Sequence, residues 1–270
     1  MINTELPSDL ARKYRTVVLA ALSRLAQGDT RPKTLHRLRT HLRRLQAYAE
    51  LIGETANAKL MADCVSHFSP LRTLDVLESY LTKHGAPVAD LVRVRLRATA
   101  KRRKLRRNRI YRKVEGLVIR HAVPPAPGLR DWLGVRMFDL RDVNNLELRR
   151  LAITAAEDIS RKTLHELRLK IKSVRYQEEW VIHEAYGAPE FVQWLKLAQK
   201  TLGDYEERGQ FRKLARKLRL DSMEQIERDW NRGRKRARAL PAELLEKVSP
   251  VVERRLRLVK SDREESRLPA

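Results

Sequence analysis

Thr34-Leu35-His36-Arg37-Leu38-Arg39-Thr40-His41-Leu42-Arg43-Arg44-Leu45 decides the reading of this chain, because the chain writes it twice. The second copy is Thr163-Leu164-His165-Glu166-Leu167-Arg168-Leu169-Lys170-Ile171-Lys172-Ser173-Val174. On a helix, at roughly 100° per residue, Leu35, Leu38, Leu42 and Leu45 share one stripe, repeated by Leu164, Leu167, Ile171 and Val174. His36, Arg39 and Arg43 form an adjacent stripe, repeated by His165, Arg168 and Lys172, with Arg175 in line. A solvated basic face normally lies opposite the apolar one. Here the cations flank it, so both helices hold them at the edge of the packed interior. Clustered cations are costly there unless an anion sits among them. Two readings stand at this point: an anion-binding groove between related halves, or two ordinary amphipathic helices with basic shoulders. Glu179, four residues after Arg175, can pair with it.

Working outward, 58 Lys and Arg against 34 Asp and Glu leave a net charge of +24 and a pI near 10.7. Small soluble domains do well at a net charge of about 2–8, so the excess points to an anionic partner. A hydrophobic content of 42% excludes a disordered basic tail. Ten Gly, eleven Pro and 6% aromatics are too few for a turn-rich β fold, and Leu, Ala, Arg, Glu and Lys favour helix. The expected class is all-α. A lone Cys64 permits no intramolecular disulfide and reads as a buried apolar residue. The longest apolar run, Val17–Leu22, is too short to span a bilayer. No membrane insertion and a reducing, cytoplasmic location are expected.

Breakers place the helices. Ser8-Asp9 caps the first, which stops at Gln27-Gly28-Asp29; Pro32 starts the second, which reaches Ile52 before Gly53. A third is expected from about Thr55 to His67, and a fourth from Ser69-Pro70 to His84-Gly85. Pro87 opens one long basic helix to about Arg120. Val123-Pro124-Pro125-Ala126-Pro127-Gly128 reads as a stiff linker. Periodicity resumes by Leu146, breaks near Asp158–Ser160, and continues through further helices to Pro250. The expectation is one domain over 1–270: a first half about 8–120, a linker about 121–144, a second half about 145–250, and a charged, fraying tail 251–270.

Leu35-His36-x-Leu38-Arg39-x-x-x-Arg43-Arg44-Leu45 resembles the opening signature of CHAD, the conserved histidine α-helical domain family. Leu164-His165-x-Leu167-Arg168-x-x-x-Lys172-x-Val174-Arg175-Tyr176-x-x-Glu179 resembles its second-half signature. Leu71-Arg72-Thr73-Leu74-Asp75-Val76-Leu77 and Leu197-Ala198-Gln199-Lys200-Thr201-Leu202-Gly203 are similar to the shorter elements that follow each. The resemblance implies two bundle-like halves about a pseudo-twofold axis. It also implies a central basic channel that binds inorganic polyphosphate without catalysis, with no cofactor, and an association with polyphosphate granules. The site residues it implies are His36, Arg39, Arg43, Arg44, His165, Arg168, Lys172 and Arg175. Gln46, Thr73, Ser173 and Asp204-Tyr205-Glu206-Glu207 depart from the family pattern.

Arg93–Lys113 holds twelve Lys or Arg and no acid; Arg97, Lys101 and Lys104 are the candidates to extend such a channel. Arg208 and Arg212 occupy the comparable place after the second motif, while Arg232–Arg238 reads as surface. No Walker-type loop, His-Glu-x-x-His or Cys-rich metal spacing occurs, nor the Glu-x-Glu-x-Lys stretch of the triphosphate-cleaving domain sometimes fused to CHAD. A non-enzyme is expected. Nucleic acid is the secondary partner class, without RRM, zinc-finger or zipper signatures; a scaffold for anionic granules is the third reading.

Overall fold

The computed structural model of this chain describes residues 7–29, 31–51, 53–121, 129–183 and 189–265. Among them the chain forms nine helices and no strand: α1 (Pro7–Gln27), α2 (Pro32–Leu51), α3 (Thr55–Lys83), α4 (Val88–Arg107), α5 (Ile110–His121), α6 (Leu129–Glu157), α7 (Arg161–His183), α8 (Pro189–Leu218) and α9 (Met223–Glu265). The all-helical expectation holds. Among the described residues no helix is long and apolar enough to cross a membrane.

Helices α1 and α2, the second of which carries the first motif, each stop at a glycine. Gly28 adopts φ 106° and Gly53 φ 79°, a region that other residues enter only at a cost. After each, the next amide reaches back across the helix end, Asp29 to the Arg24 carbonyl and Glu54 to that of Ala49. The same closure occurs at Arg219 without a glycine: φ is 53°, and the Leu220 amide donates to the Ala215 carbonyl.

Four expectations are corrected. No break separates a third from a fourth helix at Ser69-Pro70; α3 runs through Pro70. One missing donor does not outweigh a continuous buried face of Phe68, Leu71, Leu74, Leu77 and Leu81. Pro87–Arg120 is not one helix. It divides at Arg109, φ 51°, so that α4 packs on α3 while α5 returns to α1, burying Tyr111, Val114 and Val118. That left-handed residue costs roughly 1–2 kcal/mol, which the burial offsets. Helix α6 begins at Leu129, well before Leu146, because no proline follows Pro127 to stop it. Finally, α9 continues to Glu265 through Pro241 and Pro250, since the tail is rich in helix-forming Glu, Arg and Leu. The expected Pro-rich linker Val123–Gly128 lies outside the described residues, apart from its two ends' flanking helices.

Each motif helix is the middle of a three-helix layer: α2 between α1 and α3, α7 between α6 and α8. The predicted apolar stripes are buried in full, Leu35, Leu38, Leu42 and Leu45 in one core and Leu164, Leu167, Ile171 and Val174 in the other. In the first half α4 and α5 close the layer; in the second, α9 alone packs on both α8 and α6. The halves are also tied together. Phe211, Ala215, Leu220 and Ile226, from the end of α8 and the start of α9, are buried in the first half's core. Fully buried Asp90 clamps this strap, accepting from the Asp221 amide at 3.0 Å, the Ser222 amide at 2.9 Å and the Ser222 hydroxyl at 2.6 Å.

Candidate anion-binding site

Helices α2 and α7 pack on each other at the centre of the molecule. From Arg39 to Glu50 the partners advance along α7, with Arg44 reaching past them to Glu179. Arg39 and Arg43 neighbour Arg168 and Lys172, Glu50 accepts from Ser173 (3.1 Å) and Gln177 (3.2 Å), and Arg44 approaches Glu179 (4.0 Å). The two helices therefore run broadly parallel, and Arg39 and Arg43 face their counterparts Arg168 and Lys172. A repeated motif packed in this way must set cation against cation.

Arg39, Arg43, Arg168 and Lys172 make that seam, and none pairs with a carboxylate among the described residues. Arg43 donates to the Gln46 side-chain oxygen at 2.8 Å, and Arg39 to the Ser69 hydroxyl at 3.3 Å. The Nε–H groups of Arg39, Arg43 and Arg168 are buried without an acceptor, leaving donors that water cannot reach. Burial, reinforced by Arg43, Arg168, Arg39 and Arg175, pushes the Lys172 ammonium down to about 7. Burial, then Arg43 and Arg72, pushes Arg39 down to about 10. Arg43 and Arg168 are lowered by burial as well. Beside the seam, Arg43, Gln46, Glu50, Leu169, Lys172, Ser173 and Tyr176 enclose a cavity of about 230 Å³.

The other sequence-predicted residues lie around this seam. Arg175 is bound to Glu179 at 2.9 Å, as the spacing predicted, and lies 4.0 Å over the Tyr176 ring, yet its charge still reaches Lys172. Arg44 lies 4.8 Å over the Tyr14 ring. His36 is exposed in the first turns of α2, lowered by partial desolvation and by Arg72 and Arg39. His165 lies 3.9 Å from Glu206. Arg208 and Arg212 are not brought into the seam. Arg208 donates to the Asp204 carbonyl, and Arg212 turns to α9, pairing with Glu227 at 2.6 Å and stacking on Trp230 at 3.9 Å. Arg97, Lys101 and Lys104 line hollows against α3, outside the seam.

Sequence reasoning missed Arg72, Glu206 and Glu207 as members of the site. Arg72 stood inside the quoted Leu71–Leu77 element; its position one turn from Ser69 was the available signal. The glutamates carried none, because only packing of α8 on α7 brings Glu206 to Arg161 (2.9 Å) and Glu207 near Arg72 and Arg168.

No protein-family model matches the sequence, and no curated protein matches it. Among solved structures the chain is similar to the crystal structure of the CHAD domain from the plant Ricinus communis. The likeness covers 91% of each chain with a TM-score of 0.57 at 17% identity. An all-helical molecule with two related layers and a cationic seam is the class the architecture defines. The fold is that of a CHAD domain.

Proposed function

We propose that this chain binds inorganic polyphosphate, without catalysis, along the seam between α2 and α7. One observation carries the reading: Arg39, Arg43, Arg168 and Lys172 converge from both halves, half-buried, unpaired with carboxylates among the described residues, three of them holding Nε donors without acceptors. A folded protein tolerates such a cluster when an anion supplies the missing charge and acceptors. Phosphate oxygens do both, and arginine forks match them in pairs. A slender chain with charge on every unit can enter between two packed helices, whereas a rigid duplex meets only the outer surface. Base stacking has little to offer here, since Tyr176 is buried beneath Arg175.

The test is a competition of labelled long-chain polyphosphate against duplex DNA and single-stranded RNA at near-physiological salt. Preference for polyphosphate well above about tenfold is expected; a smaller ratio favours general nucleic-acid binding. The reading extends to recruitment to polyphosphate granules through the same seam. A fluorescent fusion that stays diffuse beside stained granules would count against that extension.

A further inference from the structure

The basic run of α4 divides into two sets once its neighbours are known. Arg93 pairs with Asp90 at 3.2 Å, Arg95 with Glu78 at 2.6 Å, and Arg102 with buried Asp75 at 2.5 Å. These neutralised residues hold α4 to α3 and to the strap. Arg97, Lys101 and Lys104 follow at helical spacing and pair with no carboxylate among the described residues.

Helix α8 shows the same division. Arg212 and Arg216 share Glu227, at 2.6 and 3.0 Å. Lys213 and Lys217, one residue further round, have no such partner among the described residues.

The unpaired sets meet. Arg97 and Lys101 from α4 and Lys213 and Lys217 from α8 line one hollow of about 320 Å³, floored by Pro70, Thr73 and Gln210. Lys101 and Lys104 line a second of about 270 Å³, with His67 and Asn108. The hollows share Pro70 and Lys101, so they form one groove, and no carboxylate lines either among the described residues. Cations placed on two helices and facing each other across a groove repel unless an anion lies between them.

The groove also adjoins the seam. Ser69 accepts from Arg39 on the seam side, and its carbonyl accepts from Thr73, whose hydroxyl lies 3.1 Å from the Gln210 oxygen on the groove side. One turn of α3 separates the two.

We infer that this α3–α4–α8 groove is a second, outer binding track for phosphate chains, engaging the part of a long chain that extends beyond the seam. The inference rests on the polyphosphate reading of the seam and adds to it a dependence on chain length. Tripolyphosphate fills the seam alone; a long chain lies across Ser69 and Thr73 and also engages Arg97, Lys101, Lys213 and Lys217.

Binding of long-chain polyphosphate and of tripolyphosphate is to be measured by calorimetry or anisotropy across a salt series. The proteins are wild type, a groove variant (Arg97, Lys101, Lys213 and Lys217 to Ala) and a seam variant (Arg168 and Lys172 to Ala). A surface control changes Arg234, Lys235, Arg236 and Arg238 to Ala. The groove variant is expected to lose about tenfold or more in long-chain affinity and to keep tripolyphosphate affinity. Its salt slope should flatten by about three units, at roughly 0.7 for each phosphate no longer neutralised. The seam variant is expected to lose both ligands. A groove variant indistinguishable from the surface control overturns the outer track while leaving the seam standing. Equal loss of both ligands in the groove variant also overturns it, since the groove would then belong to one undivided site. A wild type that binds neither ligand overturns the track together with the seam.

Discussion

The two ends of the seam share a backbone plan and differ in charge. In the first half, α3 places Arg72 beside His36 and Arg39, adding a cation to cations. In the second, α8 places Glu206 and Glu207 around His165 and Arg168. Glu206 would be raised by burial, but the Arg161 hydrogen bond and the charges of Arg161, His165 and Arg168 hold it below the usual range. Counterpart residues thus meet opposite surroundings: Arg39 is depressed by its neighbours, whereas Arg168 is partly relieved by acids. The difference teaches that a repeat preserves core positions more faithfully than charge. It leaves the Arg39 end of the seam the more strongly cationic and the Arg168 end partly neutralised by Glu206 and Glu207.

Removing the seam itself should have the largest effect. Arg39, Arg43, Arg168 and Lys172 changed together to Ala should cost about a thousandfold in long-chain polyphosphate affinity and flatten the salt slope by about three units. If the α9 control at Arg234, Lys235, Arg236 and Arg238 loses as much, binding is a property of the whole surface. Without ligand, Lys172→Met should raise the melting temperature, because a desolvated, unpaired cation gives way to a packed side chain. A fall in melting temperature would mean that Lys172 has a structural partner.

The strap comes next. Asp90→Ala leaves two α9-proximal amides and the Ser222 hydroxyl without their acceptor. It should cost about 2–3 kcal/mol in denaturant unfolding. Phosphate-chain binding at low temperature should survive, because the carboxylate bonds to Arg93, Asp221 and Ser222 and to none of the seam cations.

The asymmetry itself is tested by single changes at the two ends. Arg72→Ala should weaken binding about tenfold, whereas Glu206→Gln should strengthen it severalfold, since it removes a carboxylate that competes with phosphate. Equal and same-signed responses would erase the distinction between the ends.

The smallest effect is a proton. Among its neighbouring cations Lys172 is held at about 7, against an ordinary 10.5; bound phosphates favour its charged form, so binding takes up a proton between those limits. Affinity should therefore rise as pH falls from about 10 to 7, then level for this group. His36, lowered in the free protein, should add a further rise below neutrality. Lys172→Arg should flatten the alkaline limb and His36→Gln the acid limb. An unchanged profile in both variants would assign them to packing.

Much of this molecule was legible in its sequence, for local reasons. The apolar stripes of both motifs, the basic stripes at their edges, the Arg175–Glu179 pair and the stops at Gly28 and Gly53 depend on spacing along one helix. The Lys and Arg excess over 270 residues is the sequence-level basis of the anionic partner proposed above. Other features required the tertiary structure, because they depend on which surfaces meet. Pro70 sits inside α3 because a long buried face outweighs one lost hydrogen bond, and Arg109 turns without a glycine because α5 must return to α1. Arg212 faces Glu227 while Lys213, its neighbour in sequence, faces an open groove. The parallel pairing of α2 with α7 sets Arg39 and Arg43 against Arg168 and Lys172. The sequence by itself determined two amphipathic helices with cations beside their cores; packing alone decided that those cations share one partly desolvated space, where burial and mutual repulsion depress them.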